Sequence, residues 1–459
     1  MILTFLLLAS GLFAEQRIAT GELVDPVPSA YDPKQTHALY VPSNYTPDKK
    51  WPILFCYEAR GRGKIPVELF REAAERYGWI IFSSNHSRSD DPNAPNLEVL
   101  NAMWSDSHKW FSLDERRIYA TGFSGGARLA WGMGYIFPKS TAGVIGVGAG
   151  SHEARPPSKE TAFVWYGIAG NKDFNYIEMR KLDQQLEALQ IPGRTEFFDG
   201  GHEWPPAEYC TRAIEWMELQ AMKRDRRPRD PVWLQHQYES RLAEARKLES
   251  SSNLFEAYEK YQHLKADFAG LLDLGDLPGK ITTLSNNELI KKALAERQKR
   301  DEKELKHLNS FFQTLGGFRN SSEILTIPKL KSDLRISQFQ KEASKNGQTE
   351  DGILAQRLLE YIFVQTSFYL PEYFLEKKDF KRAIVSLSIA SEIHNEYPWI
   401  WCNLAVAYIG DGNKKKTMEN LQMAIDRGYK NRKWIDEEKS FDPIRNDPEF
   451  QKLLSKIAG

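Results

Sequence analysis

The chain has 459 residues, and its 62 Lys plus Arg are balanced by 62 Asp plus Glu, a net charge of zero. That balance, with no basic stripe interleaved with aromatic residues, argues against a polyanionic partner such as nucleic acid. Cys56, Cys210 and Cys402 are odd in number and scattered, which excludes a disulfide framework and fits buried free thiols better than a Cys56–Cys210 bridge.

Residues 2–14 are apolar, contain Leu6-Leu7-Leu8 and offer small residues for cleavage at Ala9, Ser10, Gly11 and Ala14. Residues 1–14 therefore read as a signal peptide, since about a dozen apolar residues are too few to cross a bilayer. No cysteine lies near the cleavage region and no later stretch is long and apolar enough to span. The expectation is a secreted or periplasmic protein with no membrane span in its mature form.

Pro52-Ile53-Leu54-Phe55-Cys56-Tyr57 is a strand, followed by the loop Glu58-Ala59-Arg60-Gly61-Arg62-Gly63. Arg60 and Arg62 are read as ion-pair partners of Glu58, Glu68 or Glu72, with binding of an anionic substrate group as the alternative. In the segment from Asn85 to Ser107 and the residues just after it, Trp104 and Trp110 either pack in the core, the favoured reading, or line an aromatic substrate pocket.

The apolar run Ile118-Tyr119-Ala120 leads into Gly122-Phe123-Ser124-Gly125-Gly126 and then Ala127-Arg128-Leu129-Ala130-Trp131, a strand, a sharp turn and a helix. This is the pattern of a nucleophile elbow, in which a side chain two positions from the serine on either side would collide with the flanking strand or helix. Ser124 is the candidate nucleophile. One oxyanion donor is then the backbone amide of Gly125, and the other comes from the loop after the earlier strand, at Ala59 or Arg60.

Ala162-Phe163-Val164-Trp165-Tyr166 reads as a buried strand entering a loop that ends at Asp173, the candidate acid, which also sits where it would cap a helix starting near Tyr176. Thr195-Glu196-Phe197-Phe198 is a last short strand opening into Asp199-Gly200-Gly201-His202-Glu203-Trp204-Pro205, where His202 is the candidate base. A serine hydroxyl needs an imidazole to take its proton, and the imidazole needs a carboxylate to fix its tautomer. Asp199 is the competing acid, awkwardly placed only three residues before His202.

On these motifs, residues from about 35 to 220 resemble the α/β-hydrolase superfamily, most of all its secreted polyhydroxybutyrate-depolymerase and feruloyl-esterase-like branch. The departure is Glu58-Ala59-Arg60, where many hydrolases carry His-Gly followed by glycines. The resemblance implies a mostly parallel sheet flanked by helices, and cleavage of a small ester or polyester by Ser124, Asp173 and His202 through an acyl-enzyme. It implies no metal and no organic cofactor. A serine peptidase, or a non-catalytic scaffold on the same fold, are the alternatives.

The pattern changes near Lys223-Arg224-Asp225-Arg226-Arg227-Pro228-Arg229-Asp230-Pro231. The expected divisions are a hydrolase domain over 15–225, a linker over 226–235 and an all-helical domain over 236–459. Within the last, Leu370, Phe374, Ala383, Leu387 and Ala390 recur 34 residues later as Leu404, Tyr408, Thr417, Leu421 and Ala424. This resembles the tetratricopeptide repeat, clearest over 364–430, with a weaker copy at Ala257, Tyr261 and Leu264; it implies a concave surface for a protein or peptide partner. Lys414-Lys415-Lys416 reads as a solvated run, and residues 271–365 carry no assignable role. If the halves are independent, deleting 236–459 spares hydrolysis of a small ester.

Overall fold

The computed structural model describes residues 18–89, 91, 93–152 and 154–457; the expected leader lies outside them. The first half is built on β1 (Leu23–Pro28), β2 (Thr36–Tyr40), β3 (Trp51–Tyr57), β4 (Ile80–Ser84), β5 (Leu113–Phe123), β6 (Thr141–Val147), β7 (Val164–Gly170) and β8 (Gly193–Phe198). They form one 8-stranded sheet in the order β1-β2-β4-β3-β5-β6-β7-β8. β1 and β2 pair antiparallel, as do β2 and β4, and every later pair is parallel. This is the α/β-hydrolase topology.

Parallel neighbours need crossovers that return over a face, here α1 (Lys64–Tyr77), α2 (Asn96–Trp110), α3 (Gly125–Ile136) and α4 (Tyr176–Ala188), and α5 (Ala207–Lys223) packs on the sheet after the last strand. With both faces covered, β3, β6 and β7 are buried at every position, which is why they read as continuous apolar runs. Ile53, Phe55 and Tyr57 pack on one face with Trp131 and Trp165; Leu54 and Cys56 pack on the other with Phe70 and Trp216. Cys210 belongs to this second cluster, and both thiols are free and buried. Trp104 stacks on Phe137 with ring centroids 3.9 Å apart, and Trp110 stacks on Phe82, so both serve the core.

The second half is helical: α6 (Pro231–Ser250), α7 (Leu254–Phe268), α8 (Leu277–Ser285), α9 (Glu288–Asn320), α10 (Ile327–Asp333), α11 (Ile336–Asn346), α12 (Glu350–Val364), α13 (Leu370–Glu376), α14 (Phe380–Ile393), α15 (Pro398–Gly410), α16 (Lys414–Asp426), α17 (Arg432–Glu437) and α18 (Pro448–Leu454). The expected linker is shorter than 226–235, because α6 starts inside it. Asp230 caps that helix by accepting from the Trp233 amide, and Pro231 fits the first helical position, where an N–H would be unpaired anyway.

The junction is also packed. Leu219 and Met222 of α5 share a core with Leu234 of α6 and Tyr261 and Phe268 of α7. Trp216 donates to Asp267 at 2.9 Å, and Arg194 pairs with the same carboxylate at 2.8 Å. At the other end, the 34-residue period recurs as geometry. Asp379 and Asn413 each cap a helix with a side-chain oxygen; Ala383, Leu387 and Ala390 of α14 are buried, as are Thr417, Leu421 and Ala424 of α16. Lys414, Lys415 and Lys416 are exposed at the start of α16.

Candidate active site

β5 ends at Phe123, α3 begins at Gly125, and Ser124 between them has φ 55° and ψ −123°. A non-glycine residue at positive φ costs about 1–3 kcal/mol and persists only where its surroundings over-determine it. Here the Ser124 amide donates to the Val147 carbonyl at 2.8 Å, tying the turn to the end of β6. A Cβ at Gly122 would lie 2.2 Å from the Gly126 carbonyl oxygen, and one at Gly126 would lie 2.0 Å from that of Tyr57. The collision anticipated from the elbow spacing is present on both sides.

β7 delivers Asp173 and β8 delivers His202, both from loops at the C-terminal edge of the sheet. The two loops are laced together: the Asn171 amide donates to the Phe198 carbonyl at 2.8 Å and the Lys172 amide to that of Gly200 at 2.9 Å. Gly170 makes the approach possible, since a Cβ there would sit 2.3 Å from the Gly200 and Gly201 oxygens. His202 Nδ1 lies 2.9 and 3.0 Å from the two Asp173 oxygens, and its Nε2 lies 2.9 Å from Ser124 Oγ. The three candidates named from sequence are thus joined by hydrogen bonds in one chain.

Asp173 is fully buried, whereas the His202 side chain keeps 22% of its exposure. Burial pushes the Asp173 carboxyl above the usual carboxylate range, against the pull of His202 and of the Asn175 amide, which donates to Oδ1 at 2.8 Å. Asp173 also serves the helix entry, its carbonyl accepting from the Tyr176 amide. Phe123 and Phe174 hold the imidazole, with ring centroids 4.7 and 4.4 Å away. Asp199 lies elsewhere: its exposed carboxylate pairs with Lys172 at 2.8 Å.

The loop after β3 is organised by Glu58, a buried carboxylate in the stretch where His-Gly was missed. It accepts from the Arg60 amide at 2.7 Å, the Arg62 amide at 3.1 Å and the Arg62 guanidinium. Burial alone would raise its pKa; these donors outweigh burial and hold it below the ordinary value. The expectation of Ala59 or Arg60 as second donor narrows accordingly, because the Arg60 amide is engaged. Among the described residues the amides of Ala59 and Gly125 have no acceptor. Arg62 pairs as expected, while Arg60 is exposed and has no carboxylate partner among the described residues.

Ser89 was not singled out from sequence. Its amide donates to the Ala59 carbonyl at 3.1 Å, and its buried hydroxyl has no partner among the described residues. It presses on the elbow so closely that a Cβ at Gly125 would lie 2.0 Å from Ser89 Cβ. No residue spacing announces this contact, because it joins two separate crossover loops. Among the described residues no group of three or more His, Cys, Asp or Glu is placed to hold a metal ion.

No protein-family model matches the chain, and no curated protein matches it. Among solved structures it is similar to the S-formylglutathione hydrolase FrmB from Staphylococcus aureus, with 15% identity over 43% of this chain and 96% of that one, TM-score 0.34. A ferulic acid esterase aligns at 14% identity over 42% of this chain and 94% of its own, also with TM-score 0.34. The fluorophosphonate-binding serine hydrolase FphF of Staphylococcus aureus aligns at 15% identity over 43% and 99%, TM-score 0.35.

Proposed function

We propose that the chain is a serine hydrolase cleaving carboxylic esters through an acyl-enzyme, with Ser124 as nucleophile, His202 as general base and Asp173 as its orienting acid. The observation that carries this reading is the continuous chain from Asp173 through His202 to Ser124 Oγ, with 2.9 Å at each junction. Its Nδ1–H directed at Asp173, His202 takes the hydroxyl proton through Nε2 as Ser124 attacks the ester carbonyl. The Gly125 and Ala59 amides, unpaired within the described residues, suit the oxyanion that develops. Collapse expels the alcohol with the proton from His202, and water then reverses the sequence to release the acid.

The further parts of the reading are secretion or a periplasmic location, from the leader at 1–14, and a helical annex over the second half whose last two helix pairs are tetratricopeptide-like and take a protein or peptide partner. The 34-residue spacing of the α14 and α16 caps supports that likeness.

The chemistry is tested by assaying the mature chain beside Ser124→Ala on short acyl and feruloyl esters and on peptide amides. Ester turnover lost in the variant is expected. Amide cleavage without ester cleavage would replace the reading with a peptidase.

A further inference from the structure

We infer that Arg357, on α12 of the helical half, is a positioning residue for the acid of the proposed triad; the inference rests on that hydrolase reading. Arg357 and Glu304 of α9 form an ion pair with side chains only 5% and 1% exposed. Arg357 Nε and Nη2 donate to the two Glu304 oxygens at 2.9 and 2.6 Å, and its remaining Nη1 donates to the Asn171 carbonyl at 2.8 Å. The guanidinium lies over the Tyr176 ring, 4.0 Å from its centroid. Asn171 stands two residues before Asp173 and Tyr176 three after, so one side chain grips both ends of the turn that carries the acid. The same turn meets His202 directly, through the contact between Nδ1 and Asp173.

Packing alone does not call for this arrangement. A buried ion pair pays heavy desolvation, and apolar residues of like volume are commonly as stable. What the guanidinium adds is direction: a planar fork matched to a carboxylate, with one edge left for a carbonyl and a face for an aromatic ring. The turn has ties of its own, from the Asn171 amide to the end of β8 and from the Lys172 amide to the loop beyond it, so Arg357 is not its sole support. Arg357 removes its residual play, and small misplacement of a catalytic group lowers turnover steeply.

The test compares the full-length wild type with three variants on a p-nitrophenyl ester. Glu304→Leu/Arg357→Met removes the pair without stranding a charge; Arg357→Lys keeps the charge but loses the fork and the stacked face. Arg297→Gln/Glu259→Gln is the control, breaking an ion pair between α9 and α7 that does not touch the Asp173 turn, with side chains 23% and 34% exposed. The expected result for both Arg357 variants is kcat lower by on the order of 10-fold with KM unchanged, since the grip acts on the placement of the acid and not on substrate binding. The control keeps wild-type kcat and KM. If the double variant fails to fold, Arg357→Lys decides alone by the same readouts.

Wild-type kcat in a folded Arg357 variant, a loss carried by KM instead of kcat, or equal losses in the control, would overturn the inference. An inactive wild type would instead sink the hydrolase reading itself.

Discussion

Ser124, Asp173 and His202 were legible because each sits in a local pattern whose chemistry needs neighbours at fixed spacing: glycines around a strained turn, and carboxylate and imidazole on loops following strands. Ser124→Ala is expected to lower kcat by about a million-fold with an unchanged melting temperature, since it deletes the nucleophile and almost no volume. Asp173→Asn is expected to cost about 10⁴-fold by presenting the wrong tautomer. Asp199→Asn, at an exposed pair with Lys172, should leave kcat unchanged; a larger loss from Asp199→Asn than from Asp173→Asn would reverse the assignment. Ser89 and the engaged Arg60 amide were not legible, because both follow from contacts between segments far apart in the chain. The close approach of Ser89 to Gly125 gives a paired prediction. Gly125→Ala should lower kcat on the order of 100-fold by displacing an oxyanion donor. Adding Ser89→Gly, which removes the colliding atoms, should restore much of it; no recovery in steady-state assays would mean the clash is not what disables Gly125→Ala.

Among the elements, β3, β5 and β7 could be read because burial on both faces leaves continuous apolar runs, and the last helix pairs because their small and large residues recur at a fixed period. Residues 271–365 form α8 to α12, whose polar helical patterns say where helices lie and nothing of what they touch. Glu304 and Arg357 come from that stretch. The packing at the junction is hidden for a related reason: α5 carries Leu219 and Met222 into the core of α6 and α7, and periodicity does not report which partner an apolar face meets. At this junction His263 of α7 lies among Arg194, Asp267 and Glu196, where burial first and the Arg194 guanidinium next hold its imidazole down to about 4. A folded-state pKa below the ordinary 6.5 contributes stability that is complete above pH 6.5 and lost as pH falls towards 4. Thermal melts at pH 7 and pH 5 should therefore show a drop that is smaller in His263→Gln; an equal drop would remove His263 from the account.

In the whole molecule, the halves are less independent than their sequence patterns suggest. The first half has the topology of a complete hydrolase sheet, yet α5 lies partly inside the helical core and the acid-bearing turn is held by α12. A chain ending at residue 230 would expose the Leu219 and Met222 face and lose the Arg357 grip, so the expectation that deleting the helices spares hydrolysis is revised. Truncation should give either aggregation on size-exclusion chromatography or a soluble product with reduced kcat; a soluble, monomeric truncation with full kcat would show that the helical half is only an appendage.

The proposed chemistry turns on Ser124 being an activated nucleophile. Wild type and Ser124→Ala should be incubated with a fluorophosphonate probe and the labelled peptide identified by mass spectrometry. A single adduct on Ser124, absent from the variant, is expected. A folded wild-type protein that takes up no probe, or takes it up at another residue, would contradict it.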